Sequence, residues 1–275
     1  MGRHRVWVGD IAAFVDPERL LGSADFEIEA APDGSLVARG ELETAAAADL
    51  QARLRGVGIG GRALGVDVQP PLARRDVRAA RTAEARRMRK GSVGFSRAGA
   101  RFDEEARYSL TPEALALSLG RDAVAMGVRR VIDACCGAGG NAIGFARAGA
   151  RVIAVEADAG RLAMARHNAA LYGVADAIEL RRGDARALVP DLEGDLLFVD
   201  PPWTRDYDRT RVTLDALPLL GALWEQRRRV QLWAKVPPSF DPDTAPGVTR
   251  VRAVFGAADG DRRRVKFLVL EASAD

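Results

Sequence analysis

From Val128 onward the chain alternates short apolar segments with amphipathic ones, and this alternation restricts the folds open to it. The apolar segments predict strands, and the segments between them, such as 159–173, have the apolar spacing of helices. Strands that alternate with helices favour a parallel sheet covered on both faces. After the last such strand, 248–256 and 263–272 predict an antiparallel hairpin around a turn at 257–261. The pattern therefore predicts an α/β fold with a mostly parallel sheet.

The strands predicted for this sheet are 129–136, 150–158, 177–184, 195–200 and 230–236. The helices predicted between them are 141–148, 159–173 and 211–227. A parallel sheet that ends in an antiparallel hairpin is typical of a Rossmann-like methyltransferase sheet rather than of a dehydrogenase.

A glycine-rich turn joins the first of these strands to the first helix. Gly137, Gly139 and Gly140 permit backbone N–H groups to approach a ligand at the start of the helix. Glu156 ends the next strand, nineteen residues after Gly137, where an acid accepts hydrogen bonds from ribose hydroxyls. This spacing indicates a nucleoside cofactor.

Two further acids refine the identity of that cofactor. Asp184 follows the third strand and is predicted to meet an adenine edge. Asp133 precedes the glycines, where its carboxylate would meet a cationic amino-acid group. The glycine pattern is not G-x-G-x-x-G, so the sequence favours S-adenosyl-L-methionine over NAD.

The stretch "FVDPPWTRDY", 198–207, leaves the fourth strand in an unusual way, since prolines cannot donate ladder hydrogen bonds and an exposed indole is costly. Open α/β sheets bind ligands at this end of their strands. A carboxylate at Asp200 and the carbonyl of Pro201 would accept both N–H bonds of a heterocyclic amine, and Trp203 would stack on its ring. The alternative is a proline-rich turn with Trp203 in the core.

These segments together resemble the RNA cap guanine-N2 methyltransferases, the trimethylguanosine synthase family. The resemblance rests on "DACCGAGGNAIGFA", "VIAVEAD", "ARHNAALYGV", "DPPW" followed by "DY", and "RFDEEARYSLTPEALA", and it covers about residues 93–270. It implies a class I methyltransferase fold and S-adenosyl-L-methionine as cofactor. The cofactor contacts that it implies are Ser109, Thr111, Asp133, Gly137, Glu156 and Asp184, and Gly139 of the same loop is a further candidate.

The resemblance also implies that Trp203 stacks on guanine, with Tyr207 and Lys235 as further candidate substrate contacts. Eukaryotic members have a serine where this chain has Asp200, and "TRDY" is one residue shorter than their corresponding segment. Lys235 and Pro238 lie near the places where those members carry an aromatic residue and an arginine that clamp the charged cap base.

The positive charge of the chain is concentrated in one segment. Residues 72–101 contain ten basic and two acidic side chains, a net charge of +8, whereas the rest of the chain has −5, for a total of +3. A cationic stripe is expected to bind phosphate backbones, and Arg74, Arg78 and Arg81 fall near one face at helical spacing. The alternative is a solvated helix. We expect RNA as the partner.

Three regions are predicted along the chain. Residues 1–71 form a small N-terminal α/β domain that includes a helix at 44–55 capped by Thr44. Residues 72–127 form a basic linker helix and a cofactor-lid segment, and residues 128–275 form the methyltransferase domain.

Several classes of protein are not expected. No apolar run has the roughly 18 residues of a membrane span, and "MGRHRVWVGD" has no signal-peptide core, so a cytoplasmic protein is expected. Cys135 and Cys136 are neighbours in the sequence, and His4 and His167 are far apart, so neither a disulfide nor a metal site is expected.

The function predicted from the sequence is methylation of a purine amino group, guanine N2 in RNA, with Asp200, Pro201 and Trp203 as catalytic residues. One alternative is adenine-N6 methylation of RNA or DNA, for which "DPPW" is also a signature. A second alternative is a non-catalytic module that binds S-adenosylmethionine and RNA.

Overall fold

The computed structural model describes residues 2–23, 25–104, 106–203 and 206–273. Of the stretch "FVDPPWTRDY", Thr204 and Arg205 lie outside the described residues. The first part of the chain forms a four-stranded antiparallel sheet of order β2-β3-β1-β6 and a short two-stranded ribbon, β4-β5. Its elements are β1 (Arg3–Ile11), α1 (Pro17–Leu21), β2 (Phe26–Ala30), β3 (Leu36–Glu43), α2 (Thr44–Leu54), β4 (Gly58–Ile59), β5 (Arg62–Ala63) and β6 (Gly65–Gln69).

The predicted cap of α2 is wrong. Glu43 occupies the N-cap position and makes no side-chain capping bond, and Thr44 is the first helical residue. The Thr44 hydroxyl instead donates to the Gly2 carbonyl at 3.0 Å and lies 3.1 Å from His4 Nε2. A partner on β1 therefore replaces the local cap, because tertiary contacts outweigh a capping preference of about 1 kcal/mol.

Three helices link the first sheet to the second: α3 (Arg74–Met88), α4 (Ala106–Ser109) and α5 (Glu113–Ala125). The predicted basic helix is confirmed as α3, and it is attached through the buried carboxylate of Glu84. Glu84 pairs with Arg87 at 2.9 Å on its own helix and with Arg264 at 2.6 Å on the C-terminal hairpin. The other side chains of α3 are largely exposed.

The second sheet has seven strands in the order β12-β13-β11-β10-β7-β8-β9. Strands β9, β8, β7, β10 and β11 are parallel, and β13 and β12 are antiparallel at one edge. This arrangement confirms the predicted class I methyltransferase sheet. The strands are β7 (Arg130–Asp133), β8 (Arg151–Glu156), β9 (Ile178–Arg182), β10 (Leu196–Val199), β11 (Gln231–Val236), β12 (Val248–Phe255) and β13 (Val265–Ala272).

The helices between these strands are α6 (Gly140–Arg147), α7 (Ala159–Leu171), α8 (Ala185–Leu188) and α9 (Pro218–Leu223). The prediction of one continuous helix over 211–227 is wrong, since α9 is short and flanked by 3₁₀ segments at Leu214–Ala216 and Trp224–Arg228. Pro218 accounts for the difference. It has no N–H to donate and disfavours a helical residue before it, so Leu217 is non-helical and the proline starts a new helix.

An apolar core is continuous between the first sheet and one face of the second. Val8 and Ile59 from the first part of the chain belong to the same cluster of buried residues as Val199 and Phe240 from the second. A separate cluster on the opposite face contains Phe145, Phe198 and Trp233. Among the described residues, no helix is both long and apolar enough to cross a bilayer.

Candidate functional site

The predicted site residues lie at the carboxyl ends of three neighbouring parallel strands. Asp133 ends β7, Glu156 ends β8 and Asp200 follows β10. Strands β7 and β10 are adjacent in the sheet although helices and strands separate them in sequence. Open α/β sheets bind ligands at such a reversal of strand order, so the fold brings these acids to one crevice.

The glycine loop after β7 has the backbone conformation that its sequence predicts. Gly137 and Gly139 have φ of 53° and 93°, in the left-handed region that favours glycine. The Glu156 carboxylate holds this loop, because its Oε2 accepts from Gly137 N at 3.0 Å and its Oε1 accepts from Asp158 N at 2.9 Å. A carboxylate has about four lone-pair sites, so Glu156 retains acceptor capacity toward the crevice.

A cavity of about 530 Å³ lies against this loop, and we call it the glycine-loop cavity. Five predicted cofactor contacts line it: Ser109, Thr111, Gly137, Glu156 and Asp184. Gly139 does not line it; this residue is the N-cap of α6, and a side chain there would meet Ala165.

Asp133 is completely buried and also does not line the cavity. Its Oδ1 accepts from Cys135 N at 3.4 Å, and its Oδ2 has no hydrogen-bond partner among the described residues. Burial, reinforced by the charge of Asp200, raises the pKa of Asp133 to about 7. A buried oxygen without a hydrogen-bond donor is costly, which is consistent with a carboxyl group that binds a proton more readily than usual.

Asp184 lies at the rim of the same cavity and has a local structural role. It is the N-cap of α8, accepting from Arg186 N at 2.9 Å, and its carboxylate pairs with the Arg186 guanidinium at 2.5 Å. Hydrogen bonds from that guanidinium and from the backbone N–H of Arg186 lower the pKa of Asp184 to about 2. The carboxylate is thus an acceptor already engaged by an arginine.

Asp200 forms the centre of a polar cluster. Its Oδ2 accepts from Lys235 Nζ at 2.7 Å, from Asn141 Nδ2 at 2.9 Å and from the Thr111 hydroxyl at 3.5 Å. Lys235 and Thr111 are almost fully buried. Among the described residues every hydrogen bond to this side chain goes to Oδ2, so Oδ1 retains acceptor capacity.

Asn141 was not predicted as a site residue. It lies in the first turn of α6, lines the glycine-loop cavity, and has a buried Oδ1 without a partner among the described residues. Its position directly after the glycine loop could have identified it from the sequence. An amide there is close to any group that the loop binds.

A second cavity of about 610 Å³ lies beside the first, and we call it the tryptophan cavity. The two cavities share Ala106, Ser109, Leu110 and Thr111 as a common wall. The tryptophan cavity has aromatic and basic walls, formed by Phe95, Phe102, Trp203, Phe267, Lys235 and Lys266. Because Asp200 lines one cavity and its partner Lys235 lines the other, the ion pair marks their junction.

Trp203 is half-buried, and Lys235 Nζ lies 4.8 Å from the centre of its ring. Its Nε1 is buried and has no partner among the described residues. Tyr207 packs edge-on against Trp203, with ring centres 6.1 Å apart and planes at 77°. Tyr207 lines neither cavity and thus supports the indole instead of facing the space beside it.

The predicted basic contacts lie outside both cavities. Arg74, Arg78 and Arg81 are exposed on α3. With a rise of about 1.5 Å per residue, Arg81 is roughly 10 Å along the helix axis from its last residue, Met88. The chain then enters the wall of the tryptophan cavity at Ser92, so the basic helix leads into that cavity.

No cluster of three or more side chains suited to a metal ion occurs in the described parts of the chain. Cys135 and Cys136 are free thiols, and burial raises the pKa of both.

Comparison with known proteins identifies related sequences. Residues 128–214 match the family model described as RNA cap guanine-N2 methyltransferase. The trimethylguanosine synthase of Schizosaccharomyces pombe is 35% identical over 116 residues, covering 38% of this chain and 48% of that protein. The trimethylguanosine synthase of Saccharomyces cerevisiae is 35% identical over 107 residues, covering 36% and 34%. The chain thus spans less than half the length of these curated relatives.

A solved structure of an RNA methyltransferase from Salinibacter ruber in complex with S-adenosyl-L-homocysteine aligns with 60% of this chain and 92% of its own, at 22% identity and a TM-score of 0.41. The sequence matches confirm the resemblance that the motifs predicted. The part that matches the family model, 128–214, includes the glycine loop, Glu156, Asp184 and the "DPPW" segment. Residues 128–214 of this chain are therefore similar to the RNA cap guanine-N2 methyltransferase family.

Proposed function

We propose that this chain is an S-adenosylmethionine-dependent N-methyltransferase that acts on a purine exocyclic amino group, guanine N2 in RNA. The observation that carries the proposal is the junction of the two cavities at Asp200. One cavity has the glycine loop and ribose acceptor of a nucleoside site, and the other has the aromatic and basic walls of a nucleotide site.

The residues around the glycine-loop cavity fit S-adenosylmethionine. Glu156 offers acceptor capacity for ribose hydroxyls, and Asn141 lines the cavity with an Oδ1 that has no partner among the described residues. Gly137 has no neighbour within 4 Å where a side chain would stand, which leaves room for close approach of a ligand to the backbone. When bound, this cofactor supplies an electrophilic methyl group on a sulfonium.

On the substrate side, the task of the protein is to make a heterocyclic amine more nucleophilic. The lone pair of such an amine is delocalised into the ring. Asp200 Oδ1 and the Pro201 carbonyl are the proposed acceptors of its two N–H bonds, and they would draw the nitrogen toward tetrahedral geometry. Lys235 and Asn141 hold the carboxylate in place through Oδ2, so it is oriented before the substrate binds.

Product analysis tests the proposed function. The protein is incubated with isotope-labelled methyl donor and with total RNA or DNA, and the nucleosides are then separated by mass spectrometry. We expect labelled N2-methylguanosine from RNA. Labelled N6-methyladenosine would identify the chain as an adenine methyltransferase. If no methyl group is transferred to either nucleic acid, the result favours the alternative of a non-catalytic module that binds S-adenosylmethionine and RNA.

The basic face of α3 is proposed to hold the RNA backbone. Changing Arg74, Arg78 and Arg81 together to glutamine is expected to reduce the slope of log affinity against log salt by about 2, since each phosphate contact on a single strand contributes roughly 0.7. The measurement is fluorescence anisotropy of labelled RNA between low and moderate salt.

The matched control for this triple variant removes three positive charges at the amino ends of the strands, whereas the candidate site lies at their carboxyl ends. Arg129, Arg130 and Arg151 lie at the amino ends of β7 and β8, away from both cavities. Changing these three to glutamine is expected to leave the slope near that of the unmodified protein. Equal slopes for the two triple variants would contradict the proposal and would indicate that α3 is a solvated helix that does not contact RNA.

A further inference from the structure

We infer that the tryptophan cavity selects a purine that is uncharged and carries a phosphate, and that it discriminates against a base that is itself cationic, such as 7-methylguanine. This inference rests on the proposed function and specifies the substrate of the same site. It concerns the choice between the cap that gives the family its description and an unmodified guanine nucleotide.

The charge of the cavity wall is the first reason. Of the described residues that line the tryptophan cavity, Lys235 and Lys266 are charged and none is an acid. Asp200, which pairs with Lys235, lines the other cavity. Asp261, which pairs with Lys266 at 3.2 Å, is completely buried and also binds Ser92. Asp261 therefore orients Lys266 from behind. Asp200 orients Lys235 through Oδ2 and reaches a ligand only at the junction of the cavities, through Oδ1.

The position of Lys235 is the second reason. A cationic ring is attracted to an aromatic face more strongly than a neutral ring, because the face of the π-system is negative. At Trp203 that attraction is already used by the ammonium of Lys235, 4.8 Å from the ring centre. The Lys235 side chain is only 4% exposed and is held by Asp200 at 2.7 Å, so a cationic base would compete with a fixed ammonium for the negative face of Trp203.

The position of Lys266 accounts for the phosphate. Its side chain is 27% exposed and lines the cavity, and Asp261 holds its ammonium at 3.2 Å. A phosphate needs such a cation, and a stacked uncharged base needs only an aromatic face. The cavity thus offers an aromatic face for the uncharged base of a purine nucleotide and a cation for its phosphate.

A binding comparison tests this inference without turnover. The full chain is titrated calorimetrically with guanosine 5′-monophosphate and with 7-methylguanosine 5′-monophosphate. We expect the unmethylated nucleotide to bind at least tenfold more tightly. Equal or tighter binding of the 7-methyl nucleotide overturns the inference, as does the absence of binding by both. Because no methyl transfer is measured, failure of the proposed function and failure of this preference are separate results.

Two variants locate the origin of the preference. Lys235→Met is expected to reduce the difference between the two nucleotides to less than threefold, and persistence of the tenfold difference in the folded variant overturns the role given to this lysine. Lys266→Met is expected to weaken both nucleotides by a similar factor and to keep their ratio. If circular dichroism shows that Lys235→Met does not fold, the ratios in the unmodified protein and in Lys266→Met decide the matter.

Discussion

Replacement of Asp200 by asparagine is expected to lower the rate of methyl transfer to RNA roughly 10²–10³-fold, the scale found when one preorganised polar group is removed from an active site. The asparagine oxygen would stay against Lys235 and Asn141, which are both donors. Its amide NH₂ would then face the amino group of the substrate, donor against donor. Single-turnover rates with RNA measure this effect, and calorimetric affinity for S-adenosylmethionine is expected to change less than about threefold.

The choice of asparagine follows from the ion pair. Alanine at Asp200 would leave the ammonium of Lys235, only 4% exposed, without its carboxylate, and breaking a buried pair costs about 3–5 kcal/mol of folding stability. A loss of activity in that variant would not be specific. Asp195→Asn is the matched control, because Asp195 lies just before the start of the same strand and binds the N–H groups of Arg129 and Arg130. Asp200→Asn activity within tenfold of the unmodified protein would contradict the proposed role.

Periodicity predicted the second sheet well because its central strands are buried on both faces. The segments around Val155 and Phe198 are apolar without interruption, and each is confirmed as a parallel strand. Periodicity failed where a single residue decides the local structure. The segment 211–227 has helical spacing, but Pro218 divides it. Thr44 does not cap its helix, because its hydroxyl instead contacts Gly2, just before β1, and His4 on β1.

The candidate site was predictable where its chemistry depends on local spacing. The glycine loop and Glu156 have a fixed separation set by one strand and one helix, and the structure brings them into contact at 3.0 Å. The bond between Asn141 and Asp200 joins residues 59 positions apart and depends on how β7 and β10 pair. The walls contributed by Ser92 and Lys266 depend in the same way on the hairpin. Such contacts are set by tertiary packing, which sequence spacing does not encode.

The first part of the chain contacts the site in a way that its sequence did not predict. The glycine-rich segment 56–61 reaches the two loops that follow β10 and β11. Gly58 N donates to the Arg209 carbonyl at 3.0 Å, and Gly60 N donates to the Pro238 carbonyl at 2.9 Å. Arg209 is two residues from Tyr207, the ring that packs against Trp203. The two-stranded ribbon β4-β5 and its turn therefore support the loop that follows Trp203, the residue proposed to stack on the base.

Gly58→Ala is expected to lower kcat/KM for RNA roughly 10–100-fold while S-adenosylmethionine affinity stays within about threefold. A side chain at this position would lie 2.5 Å from the Thr210 carbonyl oxygen and 2.6 Å from that of Arg209, so the loop must move. A displacement of about 1 Å in a positioning element costs up to about 10²-fold in rate. The glycine-loop cavity does not include residues 58 or 209, so cofactor binding is expected to persist.

Gly56→Ala separates this effect from general destabilisation. Gly56 lies in the same segment with φ of 75°, and nothing stands within 4 Å of an added side chain. Alanine there is expected to cost about 1 kcal/mol of stability through backbone strain and to leave the loop at Arg209 in place. Thermal denaturation measures how much stability each variant loses. The kcat/KM values for RNA are then compared between variants of similar stability. If both variants lose activity equally, or if Gly58→Ala keeps its turnover within threefold, the contact at Arg209 does not position Trp203. If only Gly58→Ala loses activity toward RNA, the placement of Trp203 depends on a part of the chain that has no catalytic groups of its own.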